Sequence, residues 1–143
     1  MIFPYINRGK PLTVIWVPGW ATLPGLYESV CRHANSLICH PLDPNTFDAT
    51  LTHSLKKHNI QTATIVGFSL GCFLSASYAK NNPEQIFRTV LIGMRPAYDA
   101  AQIRHIQASL TENKKGYLSA FFKSSFHETS EFRTFLTQHF KPT

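Results

Sequence analysis

The chain has 143 residues, of which 43% are hydrophobic and 15% are charged, and this length and composition suit one globular domain and not a disordered segment. Its net charge of +6 is dispersed, and no stacking motif of aromatic and basic residues is present, so we expect no nucleic-acid partner. Three cysteines and seven scattered histidines form no metal-ligand spacing, and we therefore expect no metal and no cofactor.

No run is apolar for long enough to span a bilayer, and the N-terminus lacks the basic region and apolar core of a signal peptide. We therefore expect a cytoplasmic protein without a membrane span.

The first two thirds of the chain alternate between strand and helix patterns. Short apolar runs rich in β-branched residues predict strands, and apolar positions three or four residues apart predict helices. The strand candidates are LTVIWV (12–17), SLICHPLDP (36–44), TATIV (62–66) and TVLIGM (89–94), and the helix candidates are LYESVCRHAN (26–35), NTFDATLTHSLKKHN (45–59) and 70–80. Such alternation predicts an α/β fold with a parallel sheet of about four strands and helices on both faces.

After Met94 the pattern changes and no convincing strand follows. Ile103, Ile106 and Leu110 recur at helical spacing, and the remaining aromatic residues repeat the pattern, so two or three amphipathic helices are predicted. We expect a single domain over residues 1–143, with the core sheet in 1–95 and a helical region in 96–143.

A serine lies in the pattern Gly67-Phe68-Ser69-Leu70-Gly71, between a predicted strand and a predicted helix. This is the context that a nucleophile elbow requires, since small neighbours allow the sharp turn that exposes the hydroxyl. The sequence therefore makes Ser69 a candidate nucleophile. The alternative is that Ser69 only caps the helix, as serines often do.

Acyl-transfer enzymes with such an elbow stabilise the oxyanion with two backbone N–H groups, one directly after the nucleophile and one from the loop after an earlier strand. These positions correspond to Leu70 and, in the loop after LTVIWV, to Trp20. Trp20 is also compatible with a purely structural role as a core aromatic residue.

The stretches VIWVPGWA and IVGFSLGCFLSASYA together resemble the α/β-hydrolase superfamily, and within it the esterases that cleave pimeloyl-[acyl-carrier protein] methyl ester in biotin synthesis. The resemblance implies a serine carboxylesterase with Ser69 as nucleophile and a helical lid that begins near Pro96. One departure is Pro18, where many members of the superfamily have histidine.

The same resemblance implies that the acyl chain is bound by lid residues Tyr117, Leu118, Phe121 and Phe122. It also suggests an acidic acyl-carrier protein as partner, attracted by the basic lid residues Arg104, Lys114, Lys115 and Lys123. Core packing explains the aromatic residues equally well, and a solvated helix face explains the basic ones.

A serine nucleophile needs a base and an orienting acid, in the chain order serine, acid, histidine. Asp99, shortly after TVLIGM, is the candidate acid, and His127 in SSFHETS is the candidate base. His105 and His139 are further options, although a solvated helix histidine explains each of the three.

The superfamily's sheet continues beyond the last predicted strand, so we expect that strand to form an exposed edge that can pair with another copy or another chain. Three explanations stay open: a truncated hydrolase, a hydrolase that receives its acid and base from a second polypeptide, or a shortened protein that binds acyl groups without efficient turnover.

Overall fold

A computed structural model of the protein describes residues 1–22, 24–27 and 30–139, with the side chains of residues 24, 26 and 139 left undescribed. The chain divides into two compact units, Met1–Arg95 and Pro96–Thr143. The first contains the sheet and the second contains helices.

The first unit is built on a five-stranded sheet with the order β1-β3-β2-β4-β5. Its strands are β1 (Tyr5–Ile6), β2 (Thr13–Val17), β3 (Asn35–Ile38), β4 (Ala63–Phe68) and β5 (Ile86–Ile92). The strands β3, β2, β4 and β5 are mutually parallel, and the two-residue β1 adds an antiparallel pairing to β3. The predicted parallel sheet of about four strands is confirmed, with β1 as an unpredicted addition.

The helices α1 (Phe47–Lys57) and α2 (Gly71–Asn81) share one hydrophobic core with the sheet. The positions of α1 that recur at helical spacing, Phe47, Leu51 and Leu55, are all at most 3% exposed. They pack with Ile15 and Ile65 of the central strands. Continuous apolar strands of this kind are typical of parallel sheets, which are covered by helices.

The segment between β2 and β3 differs from the prediction of a helix. Its described part forms two turns of 3₁₀-helix, Pro24–Tyr27 and Val30–His33. Tyr27 stacks on Trp16 of β2 with ring centroids 5.7 Å apart, and the Trp16 indole donates a hydrogen bond of 3.2 Å to Ser36 Oγ. Because side chains alternate between the two faces of a strand, Trp16 lies on the face opposite Ile15 and Val17.

The strand β5 lies at the open edge of the sheet and is covered much less than the other strands. Ile86 is buried, whereas the six residues from Phe87 to Ile92 are exposed. The strand starts three residues before the predicted run and ends at Ile92, because Gly93 turns into the left-handed region with φ of +69°.

The second unit contains the helices α3 (Ala100–Ser124) and α4 (Thr129–His139). The helix α3 is interrupted at Asn113, whose backbone is not helical, and Asn113 Oδ1 accepts a hydrogen bond of 2.9 Å from the N–H of Gly116. Asn113 thus acts as a side-chain cap for the second half of α3. No helix in the described ranges is long and apolar enough to cross a membrane.

Candidate active site

Ser69 lies in the turn that joins β4 to α2, and its backbone has the left-handed φ of +52°. Residues with a Cβ rarely adopt this conformation, and strain of this kind is concentrated at functional sites. The N–H of Ser69 donates a hydrogen bond of 2.8 Å to the carbonyl of Ile92, which ties the turn to the end of β5. The predicted elbow geometry is therefore present, with a half-buried serine at its apex.

The two glycines of the motif are required by close contacts. A Cβ on Gly67 would lie 2.6 Å from Ser75 Oγ, and a Cβ on Gly71 would lie 2.5 Å from the carbonyl oxygen of Pro18. Both distances are far below the separation of about 3.5–4.0 Å in an ordinary contact. The strand can enter the turn, and α2 can leave it, only because these side chains are absent.

The loop after β2 packs directly on the elbow. A Cβ on Gly19 would lie 3.1 Å from Ser69 Cβ and 3.0 Å from the carbonyl oxygen of Phe68, so the Gly19 backbone is in contact with the nucleophile turn. Ala21 has a left-handed φ of +56°, and the N–H of Thr22 returns to the carbonyl of Gly19 at 3.4 Å. Trp20 lies between these two residues in the turn, and its role as an oxyanion donor stays a prediction.

Leu70 occupies the N-cap position of α2. The first backbone hydrogen bond of that helix joins the N–H of Cys72 to the carbonyl of Ser69 at 3.0 Å. N–H groups before this bond have no partner within the helix, and the helix dipole makes the position favourable for negative charge. The position of Leu70 thus suits an oxyanion donor, and that role stays a prediction.

The side chain of Cys72 stabilises the turn that carries Ser69, and sequence reasoning did not predict this role. Its buried thiol donates to the carbonyls of Gly67 at 3.2 Å and Ile92 at 3.4 Å, so one side chain links β4, β5 and α2 behind Ser69. A small residue at the second position of the helix that follows the elbow was the available signal.

Among the described residues of the first unit, the ionisable groups with a shifted pKa are two tyrosine hydroxyls and a thiol. Burial, with the thiols Cys39 and Cys31 nearby, raises the pKa of Tyr27 to about 12. Burial also raises the pKa of the Cys39 thiol and the pKa of Tyr78. All of them favour the neutral form, so these groups act as packing residues at neutral pH.

The candidate acid and base both belong to the second unit. Asp99 is exposed and is the N-cap residue of α3, where its Oδ2 accepts a hydrogen bond of 3.3 Å from the N–H of Gln102. His127 is exposed in the loop between α3 and α4. His105 is exposed on α3, and the side chain of His139 lies outside the described residues.

The residues predicted to bind an acyl chain are half-buried on α3. Phe121 and Phe122 are 5.7 Å apart, and Phe122 is 5.4 Å from Phe135 of α4. Tyr117 and Leu118 lie one turn earlier on α3. The aromatic contacts thus join α3 to α4 within this unit, and the acyl-binding role stays a prediction.

Sequence reasoning did not consider a histidine upstream of Ser69. His40 follows β3 at the carboxyl edge of the sheet, which is also where Ser69 lies, and it is exposed. Strand β2 separates β3 from β4, so the spacing of two strands places the backbones about 10 Å apart.

No protein-family model matches the chain, and no curated protein sequence matches it. Several solved structures share its fold. A bromoperoxidase from Bacillus anthracis is 21% identical with a TM-score of 0.69, over 83% of this chain and 54% of that one. A carboxylesterase structure from the thaumarchaeon Nitrososphaera gargenis is 13% identical with a TM-score of 0.69, over 89% of this chain and 55% of that one.

A third structure, the α/β-hydrolase MGS-MChE2 from a sediment metagenome, is 16% identical with a TM-score of 0.56, over 82% of this chain and 60% of that one. Identities this low show the fold alone. The chain therefore has the α/β-hydrolase type of fold, as predicted, and spans a little more than half the length of these neighbours.

Proposed function

We propose that the protein is a serine carboxylesterase that hydrolyses an acyl ester through Ser69. The observation that carries the proposal is the left-handed Ser69 at the β4–α2 turn, with the Gly19 loop packed against its Cβ. A helix cap does not need this strained backbone, and it does not need a second loop in contact with it.

In the proposed reaction, Ser69 Oγ attacks the ester carbonyl carbon and gives its proton to a base. The carbonyl oxygen becomes an oxyanion, which accepts hydrogen bonds from the N–H groups of Leu70 and Trp20. Collapse of the intermediate expels the alcohol, which takes the proton back from the base. Water then repeats the same sequence on the acyl-enzyme and releases the carboxylic acid.

For the base we propose His127, with Asp99 as the acid that orients it. The support is the chain order of serine, acid and histidine and the position of Asp99 soon after β5. The hydrogen bond from Gln102 to Asp99 leaves further lone pairs on that carboxylate, since an ionised carboxylate accepts about four hydrogen bonds.

For the substrate we propose an acyl ester on a carrier protein, with pimeloyl-[acyl-carrier protein] methyl ester of cytoplasmic biotin synthesis as the specific candidate. The half-buried Tyr117, Leu118, Phe121 and Phe122 offer apolar surface for the acyl chain. The basic residues Arg104, Lys114, Lys115 and Lys123 are exposed on α3 and offer charge that attracts an acidic carrier.

The test measures hydrolysis of p-nitrophenyl acyl esters and labelling by a fluorophosphonate. We expect wild type to be labelled and Ser69→Ala to lose both labelling and turnover. The matched control is Ser77→Ala, because Ser77 is an exposed serine of α2 that lies about two helical turns beyond the elbow. This control is expected to keep both signals at the wild-type level. Equal labelling of wild type and Ser69→Ala would refute the proposal.

A second candidate function is an acyl-binding or interaction module without efficient turnover. Two observations favour this function. Asp99 serves as the N-cap of α3. His127 is exposed in a loop. This module would bind a fatty-acyl ester but hydrolyse it no faster in wild type than in His127→Ala. Turnover that is lost in His127→Ala, with binding retained, rules the module out.

A further inference from the structure

A cleft of about 290 Å³ opens at the β1 edge of the sheet, within the first unit. It combines two arginines with an apolar wall, and its described lining residues are Ile6, Arg8, Cys31, Arg32 and Ile38. Sites for small molecules occupy roughly 300–1,000 Å³, so this cleft is of a size that suits a small organic ligand.

The apolar wall of the cleft is formed by two neighbouring strands. Ile6 of β1 pairs with Ser36 of β3, and residues directly opposite each other lie on the same face of a sheet. Side chains alternate along a strand, so Ile38 shares that face with Ser36. The fully buried Leu37 lies on the other face, in the core that includes α1. The cleft is therefore on the face of the sheet opposite α1.

Both arginines are attached to backbone that the fold holds in place. Asn35 is 6% exposed, and its Oδ1 accepts hydrogen bonds from the N–H groups of Arg8 at 2.8 Å and Lys10 at 3.1 Å. Its Nδ2 donates to the carbonyl of Lys10 at 2.6 Å. Arg32 follows Cys31, which is 1% exposed and anchors its turn of 3₁₀-helix. Fixed backbone lowers the entropy that these side chains lose when they bind a common ligand.

The positive charge of the two arginines is not balanced within the cleft. Arg8 and Arg32 are exposed, and neither guanidinium has an ion-pair partner among the described residues. The described lining includes no acidic side chain. In the sequence, residues 1–42 contain three lysines and arginines but one acidic residue, Glu28. Two unpaired guanidinium groups beside an apolar wall favour an anion that carries an aliphatic group.

We propose that this cleft binds a small organic anion, whose carboxylate or phosphate group lies between Arg8 and Arg32 while a short aliphatic chain contacts Ile6 and Ile38. Guanidinium groups form bidentate, charge-assisted hydrogen bonds with both kinds of head group. The strands β3 and β2 separate β1 from β4, which leads to Ser69, so the cleft is distinct from the candidate active site. It takes its ligand whether or not Ser69 is a nucleophile.

The first arm of the test titrates the 143-residue protein with hexanoate and with butyl phosphate by isothermal titration calorimetry. We expect saturable binding of one equivalent of at least one of these anions, and the tighter one identifies the preferred head group. The double variant Arg8→Gln/Arg32→Gln keeps polar side chains at both exposed positions. We expect its affinity to be lower by about tenfold or more, because the hydrogen bonds to charged groups are lost.

The matched control is Lys56→Gln/Lys57→Gln, which removes the same charge from exposed positions of α1, on the opposite face of the sheet. We expect this control to bind as tightly as wild type, with the same circular dichroism spectrum for all three proteins. Equal affinities of wild type and the arginine variant overturn the proposal, as do equal losses of affinity in the two variants. A wild type that binds neither anion overturns it as well.

The second arm needs no substitution. Amide ¹H–¹⁵N NMR spectra of the wild-type protein are recorded during the same titration, and we expect the largest shifts at Arg8, Arg32 and Ile38. Shifts that are largest at Trp20 and Ser69 instead would place the anion at the candidate active site and contradict the proposal.

Discussion

Gly71 offers the sharpest test of the contact between α2 and the loop after β2. Alanine normally stabilises a helix relative to glycine by about 0.5–1 kcal/mol. Here the added Cβ would lie 2.5 Å from the carbonyl oxygen of Pro18 and would also overlap the carbonyl of Val17. Both obstacles are backbone atoms, so either α2 or the loop must move.

The displacement caused by Gly71→Ala is an overpacking effect, and such effects cost about 1–3 kcal/mol. For a chain of this length we expect the melting temperature to fall by about 3 °C for each kcal/mol. Because Pro18 precedes Gly19, the shift also moves the Trp20 backbone away from Ser69. Fluorophosphonate labelling should therefore slow by more than the loss of folded protein explains.

The assays are thermal unfolding by circular dichroism and the rate of labelling at a temperature where both proteins are folded. Gly9→Ala is the matched control, because Gly9 has φ of +63° and no atom within 4 Å of an added Cβ. Backbone strain there costs about 1–2 kcal/mol without touching the elbow. A Gly71→Ala protein that is as stable as wild type and is labelled as fast would show that the contact between Gly71 and Pro18 does not constrain the elbow.

Three further substitutions probe the first unit, and the free energy of unfolding measured in urea checks each. Cys72→Ala removes the thiol that bonds two carbonyls behind the elbow, and we expect a loss of about 1–2 kcal/mol. Tyr78→Phe removes a hydroxyl that is bonded to Thr52 and Gln85, and we expect a loss of about 1 kcal/mol. Tyr27→Phe is expected to cost nothing at neutral pH, because the Tyr27 hydroxyl is buried without a hydrogen-bond partner among the described residues. The pH dependence of the free energy of unfolding provides a second test of Tyr27. Its pKa is raised from 10.0 to about 12 in the folded protein, so between these values the unfolded chain loses a proton that the folded chain retains. Wild-type stability should therefore fall as the pH rises from 10 toward 12, and the fall should be smaller in Tyr27→Phe. An identical alkaline profile for both proteins contradicts the assignment.

The parallel sheet and the elbow were predictable because their signals are local. Apolar runs such as that of β4 define strands, and Gly67 and Gly71 beside Ser69 indicate a sharp turn whatever the distant contacts are. The role of Gly19 against Ser69 Cβ was not predictable, since it depends on two segments that lie far apart in the sequence.

The 3₁₀ turns at Pro24–Tyr27 and Val30–His33 replaced a predicted helix. The physical reason is that tertiary packing, here Tyr27 on Trp16, can override weak helical propensity.

Residues such as Asp99 illustrate why the rest of the site stayed a prediction. From sequence alone, an aspartate that follows a strand and precedes a helix can be a triad acid or a helix cap equally well. The structure shows the cap, through Gln102. The roles proposed for Asp99 and His127 therefore depend on kinetics.

Intact-mass spectrometry after fluorophosphonate treatment tests whether Ser69 is the nucleophile of an esterase. We expect one covalent adduct on the wild-type chain, located at Ser69 by peptide mapping, and no adduct on Ser69→Ala. An unmodified wild-type chain, or an adduct that persists in Ser69→Ala, would contradict it.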